Sequence, residues 1–179
     1  ILDPSASDGQ AESILHIEVS QRSGQAALDA IRETLGSVLQ NVRDAVGDWA
    51  SMGIRADELI DELKGTIAGL DPLEVNEGRA FLEWIRGHNF TFLGSRDYVL
   101  KEENGLDYLR IIPESGLGLL RTVTEESMSR HRQPLTPDMA RFARLKSLFI
   151  ITKASTRSVV HRPVYMDYIG VRRFDAAGN

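Results

Sequence analysis

The chain has 179 residues, 42% hydrophobic and 26% charged, with no cysteine. That suits one sizeable core, or one domain with an appended subdomain, and it excludes disulfides and thiolate metal centres. The net charge of −5 is uneven: residues 1–120 carry 10 Lys and Arg against 21 Asp and Glu, a net −11, whereas residues 121–179 carry 11 against 5, a net +6.

Residues 1–12 are small and polar and read as a linker. SILHIEVS, residues 13–20, alternates Ile14, His16 and Glu18 against Leu15, Ile17 and Val19, the pattern of a short amphipathic strand. Ser23 is a candidate cap for a helix whose apolar residues run from Leu28 through Ile31, Leu35, Leu39, Val42 and Val46 to Trp49, about six turns. A second helix is expected near residues 57–68, with Leu59, Ile60, Leu63 and Ile67 on one face. Asp71-Pro72-Leu73-Glu74 then combines an N-cap, a proline at the first helical position and the spacing of a capping box. Phe81, Leu82, Trp84 and Ile85 give that third helix its apolar side, and Gly87 ends it.

Beyond Gly87 the pattern becomes aromatic and β-branched. Residues 89–100 and 106–112 read as two strands joined at Asn104-Gly105, the strongest short hairpin signal. Residues 113–135 read as irregular, and Thr136-Pro137 opens a short helix to about Lys146. Residues 148–153, 159–162 and 165–174 read as strand, interrupted at Pro163. Helices followed by strands indicate an α+β fold, N-terminal helices followed by an antiparallel sheet. The turn formers of residues 175–179 would normally feed a returning strand, and the chain opens without Met, so both ends read as cuts in a longer protein.

Few residues point to chemistry. Gly116-Leu117-Gly118-Leu119-Leu120-Arg121 begins like a dinucleotide fingerprint but lacks the third glycine and the βαβ setting, so a tight turn or close backbone approach is the better reading. The four histidines show no metal-ligand spacing, and the acid pairs Glu102-Glu103 and Glu125-Glu126 read as solvated turns. Asp167, between Tyr165 and Tyr168, is the one acid in an apolar strand context, and an Arg partner would suit it there. Lys153, Arg157, His161 and Arg162, interleaved with Ser155, Thr156 and Ser158, are candidates for holding a carboxylate or phosphate. The alternative reading is solvated strand edges or interdomain salt bridges. Nucleic acid is not expected, because the basic residues form no dense run in an acidic chain. No apolar run approaches the roughly 18 residues of a membrane span, and a basic region leading into an apolar stretch, as in a signal peptide, is not visible.

IITKASTRSVVHRPVYMDYIGVRRFDAAGN closely resembles a region of the large bacterial NAD-dependent glutamate dehydrogenases, and AFLEWIRGHNFTFLGSRDY, SGLGLLR and SILHIEVS resemble the same family in the same order. The resemblance spans residues 13–179. It implies a piece of the N-terminal regulatory and structural portion, which includes ACT-like and PAS-like modules. Residues 13–70 would be the end of an ACT-like domain with connecting helices, and residues 71–179 a PAS-like domain. It further implies a cytoplasmic, homo-oligomeric parent that converts L-glutamate to 2-oxoglutarate and ammonia with NAD. The substrate lysines and the dinucleotide-binding domain would lie downstream, leaving this segment non-catalytic, without catalytic, cofactor-binding or metal-binding residues, with other domains of its chain and a small anionic effector as its expected partners. A stand-alone amino-acid or carboxylate sensor and an independent enzyme are the competing classes.

Overall fold

A computed structural model of the chain describes residues 14–65 and 67–174. The linker expected over residues 1–12 and the turn at residues 175–179 lie outside the described residues. The chain divides into two compact units, Ile1–Leu35 and Gly36–Asn179. The boundary falls inside the first helix, α1 (Gln25–Gly47).

In the first unit, residues 14–23 form no strand. Ile14, Leu15, Ile17 and Val19 are 64–94% exposed. Alternation supplies a strand's faces but not the neighbour that satisfies its backbone, so the expected strand at SILHIEVS is not formed among the described residues. The first turns of α1 carry local polar pairs, Gln25 to Asp29 at 2.9 Å and Arg32 to Asp29 at 3.2 Å.

In the second unit α1 ends at Gly47, and α2 (Trp49–Glu62) starts eight residues before the expected helix. Trp49, expected to close the first helix, therefore opens the second. α3 (Pro72–Trp84) starts as its cap predicts: the Asp71 carboxylate accepts the Leu73 N–H at 2.8 Å. Glu74 does not close a capping box; its carboxylate accepts the Leu148 N–H at 2.8 Å and so holds a distant strand. After α3 the chain kinks over Ile85–Asn89, where Gly87 and His88 leave helical geometry and His88 has φ 66°.

The strands form three separate two-stranded antiparallel sheets. β1 (Gly94–Ser95) pairs with β4 (Leu117–Gly118), β2 (Tyr98–Glu103) with β3 (Leu106–Ile111), and β5 (Phe149–Arg157) with β6 (Tyr165–Val171). The β2–β3 turn falls at Asn104-Gly105, where φ of 54° and 75° gives the twist a two-residue hairpin needs. Residues 90–93 and 159–162, expected as strand, are not. Between β4 and β5 lie α4 (Glu125–Arg132), which the sequence reading missed, and α5 (Pro137–Ala143), capped by Thr136. The fold is α+β.

The core of this unit joins Ile60, Leu63, Val75, Leu82, Ile85 and Leu148, with Phe81, Phe149, Ile169 and Val171 packed against it. Leu148 is fully buried, and a Cβ on Gly78 of α3 would lie 2.3 Å from its Cδ2, so α3 and the start of β5 approach closely because residue 78 has no side chain. The apolar residues expected on α2 and α3 make this core, except Trp84, which is half exposed and meets Phe90 edge-on at 5.5 Å.

Candidate functional site

The β5–β6 register sets the four basic candidates. Lys153 stands opposite Asp167 and Arg157 opposite Tyr165, with a break in register between them. Three β5 residues there face only Met166, so β5 bulges between the two cations, whose partners Asp167 and Tyr165 lie two residues apart on β6. Lys153 Nζ lies 2.5 Å from Asp167 Oδ1, both part-exposed, so Asp167 has a lysine partner at a half-open site in place of the expected arginine. The Arg157 guanidinium lies 5.3 Å from the centre of the Tyr165 ring. His161 and Arg162 are in the turn that follows. His161 has φ 65°, and the Val164 N–H donates to Arg162 O at 2.8 Å, closing a three-residue turn around Pro163. Buried Ser158 braces the turn: its Oγ accepts the Val160 N–H at 3.1 Å and its own N–H donates to Val164 O at 2.9 Å.

An open surface groove is lined by Lys153, Ala154, Val164 and Tyr165. Lys153 lines it directly, Arg157 borders it through Tyr165, and His161 and Arg162 are not among its lining residues. An exposed ion pair contributes roughly 0–1 kcal/mol, so Lys153 exchanges Asp167 for another carboxylate at little cost. The groove thus offers an ammonium and a tyrosine ring, with a guanidinium at its border.

The more tightly built polar site was not foreseen. Asp48, at the break between α1 and α2, is buried, its side chain 8% exposed. Its Oδ2 accepts the Gly118 N–H at 2.7 Å and Arg121 Nε–H at 3.0 Å, while its Oδ1 accepts from the other Arg121 nitrogen. The Gly118 N–H, with Arg121, holds the carboxyl below the usual carboxylate range against burial, which pushes it up. Gly118 has φ 58°, and a Cβ there would lie 2.3 Å from Leu93 O. The glycines of SGLGLLR therefore serve a close backbone approach, as read from the sequence, and Gly118 presents its N–H to a carboxylate 70 residues earlier. Arg96 adds bonds to the carbonyls of Leu120 and Thr122. Asp48 has donors on both oxygens, so it is a fixed anionic tie and not a base open to a substrate.

A comparable clamp holds the β2–β3 hairpin. Arg144 Nε donates to Asp107 Oδ2 at 2.7 Å, and its terminal nitrogen donates to Glu102 Oε2 at 2.6 Å. Arg144 holds Asp107 below its ordinary range, and Asp107 and then Glu102 push the guanidinium further up. Glu103 pairs with Arg110 at 2.9 Å. The two glutamates beside the turn are thus ion-paired and not only solvated. A small pocket also lies where Trp49 stacks on His88 at 5.7 Å, lined by Gly53, Arg86, Phe90 and Phe92; Arg86 is held there by Asp57 through two bonds. Among the described residues no cluster of His, Asp or Glu could hold a metal ion, and no helix is long and apolar enough to cross a membrane.

No family model matches the chain, and no solved structure matches it. Two curated proteins do. The NAD-specific glutamate dehydrogenase of Halomonas elongata is 35% identical over 168 residues, covering 93% of this chain and 10% of that protein. The NAD-specific glutamate dehydrogenase of Pseudomonas aeruginosa is 29% identical over 171 residues, covering 96% of this chain and 10% of that protein. The chain spans about a tenth of the length of these relatives, and nearly all of it is similar to a stretch of them.

Proposed function

We propose that this chain is a non-catalytic regulatory or architectural segment from the N-terminal portion of a large NAD-dependent glutamate dehydrogenase. The observation that carries this reading is the similarity along 93–96% of the chain to a tenth of each relative. The parent reaction is oxidation of L-glutamate by NAD to 2-oxoglutarate, ammonia and NADH, in the cytoplasm and in a homo-oligomer. The polar sites support a structural role for this part. Asp48 and Asp107 are each engaged by an arginine, which suits holding loops in place more than moving protons. ACT-like and PAS-like modules remain the expected descriptions of its parts.

Incubation of the chain with glutamate and NAD should give no NADH absorbance above a heat-inactivated control, and turnover would refute the proposal. As to regulation, the β5–β6 groove is the proposed seat of a small carboxylate effector, held by Lys153 and Arg157 with His161 and Arg162 beside it. A thermal-shift series with L-glutamate, 2-oxoglutarate and aspartate tests it, since a ligand at about 100 times its dissociation constant stabilises by roughly 2.7 kcal/mol.

A further inference from the structure

Two-stranded ribbons leave edges, and an edge left bare is a template for pairing, so proteins cover it or guard it with charges, prolines or bulges. Three of the four long edges here are managed in that way. The outer side of β3 is met by α4 and the chain after it: His131 Nδ1 lies 2.8 Å from Leu109 O and the Leu135 N–H donates to Asp107 O at 2.7 Å. β2 carries Lys101, Glu102 and Glu103. β5 carries Lys153, Arg157 and the bulge between them. Among the described residues β6 has no covering segment, no proline and no bulge, and one charge. Its sequence, YMDYIGV, holds no Lys, Arg or Pro, and it pairs without a break from Asp167 to Val171. Its single charge, Asp167, is paired across the ribbon by Lys153. Among the described residues no backbone hydrogen bond reaches the side of β6 that faces away from β5.

We infer that the free edge of β6 is the docking site for one further antiparallel or parallel β-strand, contributed by another part of the parent polypeptide. This rests on the segment reading above, which supplies the source: the relatives are about ten times as long as this chain. The register of β6 fixes the chemistry of the incoming strand. Ile169 and Val171 pack against the core, so the residues set beside them must be apolar. Asp167 lies two residues back on the same side, so the residue set beside it should be a hydrogen-bond donor such as Lys, Arg, Ser or Thr. Tyr165 and Tyr168, 48% and 39% exposed, become partly covered when that strand is added.

Peptide-resolved hydrogen exchange over residues 165–171 tests this, on the full-length parent and on the 179-residue chain. The amides of β6 that do not face β5 should exchange at open-strand rates in the 179-residue chain and at least roughly tenfold more slowly in the parent. Equal exchange in both proteins would overturn the inference. So would protection that appears in the shorter chain as its concentration is raised, because the edge would then belong to a second copy. The intact mass of the native protein reads the segment proposal separately. A native product of 179 residues removes that proposal and this occupant with it, whereas a long native polypeptide with an unprotected β6 overturns only the added strand.

Discussion

Replacing Asp48 with Asn keeps the shape of the side chain and removes its charge. In the native site both carboxylate oxygens accept, from Gly118 N–H and Arg121 Nε–H on one and from the second Arg121 nitrogen on the other. An amide has one oxygen, so its NH2 must point at donors whichever way it turns, and at least one bond becomes a clash of hydrogens. A hydrogen bond to a charged group contributes about 1.5–3 kcal/mol. Losing one partner of a fully buried pair costs about 3–5 kcal/mol, but Arg121 is 54% exposed and water takes over part of its solvation. The expected loss is about 2–3 kcal/mol, a fall of roughly 4–12 °C in melting temperature for a chain of this size. Circular dichroism melts at pH 7 measure it. The pH dependence gives a second reading. Asp48 has its pKa lowered on folding, so it stabilises the native state fully above the unfolded carboxylate value of about 3.9, and that stabilisation disappears as pH falls through the lower folded value. Asp48→Asn should therefore lose its deficit relative to the native chain under acid. A variant within about 0.5 kcal/mol of the native chain at pH 7, melting with an unchanged acid limb, would refute the assignment of Asp48 as a tie.

Gly118→Ala should destabilise more than Gly105→Ala in urea titrations: both residues have positive φ, worth about 1–3 kcal/mol of strain, but a Cβ at 118 also strikes Leu93 O at 2.3 Å, whereas nothing lies within 4 Å at 105. Leu148→Ala should cost about 2–5 kcal/mol by the same measurement, because that side chain is fully buried where α2, α3 and β5 meet. If a carboxylate stabilises the chain in the thermal-shift series, Arg157→Ala should weaken its binding by about 1.5–3 kcal/mol in calorimetry, and unchanged affinity would exclude Arg157 from the site.

Local chemistry was legible in the sequence wherever a few neighbouring residues decide the outcome. Asp71 and Pro72 start α3, Thr136 and Pro137 start α5, and Asn104-Gly105 turns the hairpin, because caps and turns are satisfied by groups within about four residues. The helix periodicity likewise named Ile60, Leu63, Leu82 and Ile85 as core. The likeness of nearly the whole chain to one family was also written in the residues themselves. What the tertiary structure alone decided is where long-range partners fall. Nothing near Asp48 in sequence shows that the donors of SGLGLLR would close on it from 70 residues away, or that Arg144 would reach back 37 residues to Asp107. Glu74 has the right spacing for a capping box, yet its carboxylate goes to Leu148 N–H once β5 is brought beside α3. SILHIEVS has the pattern of a strand and, without a neighbour among the described residues, remains unpaired. Pattern fixes which groups must be satisfied; only the folded chain assigns the groups that satisfy them.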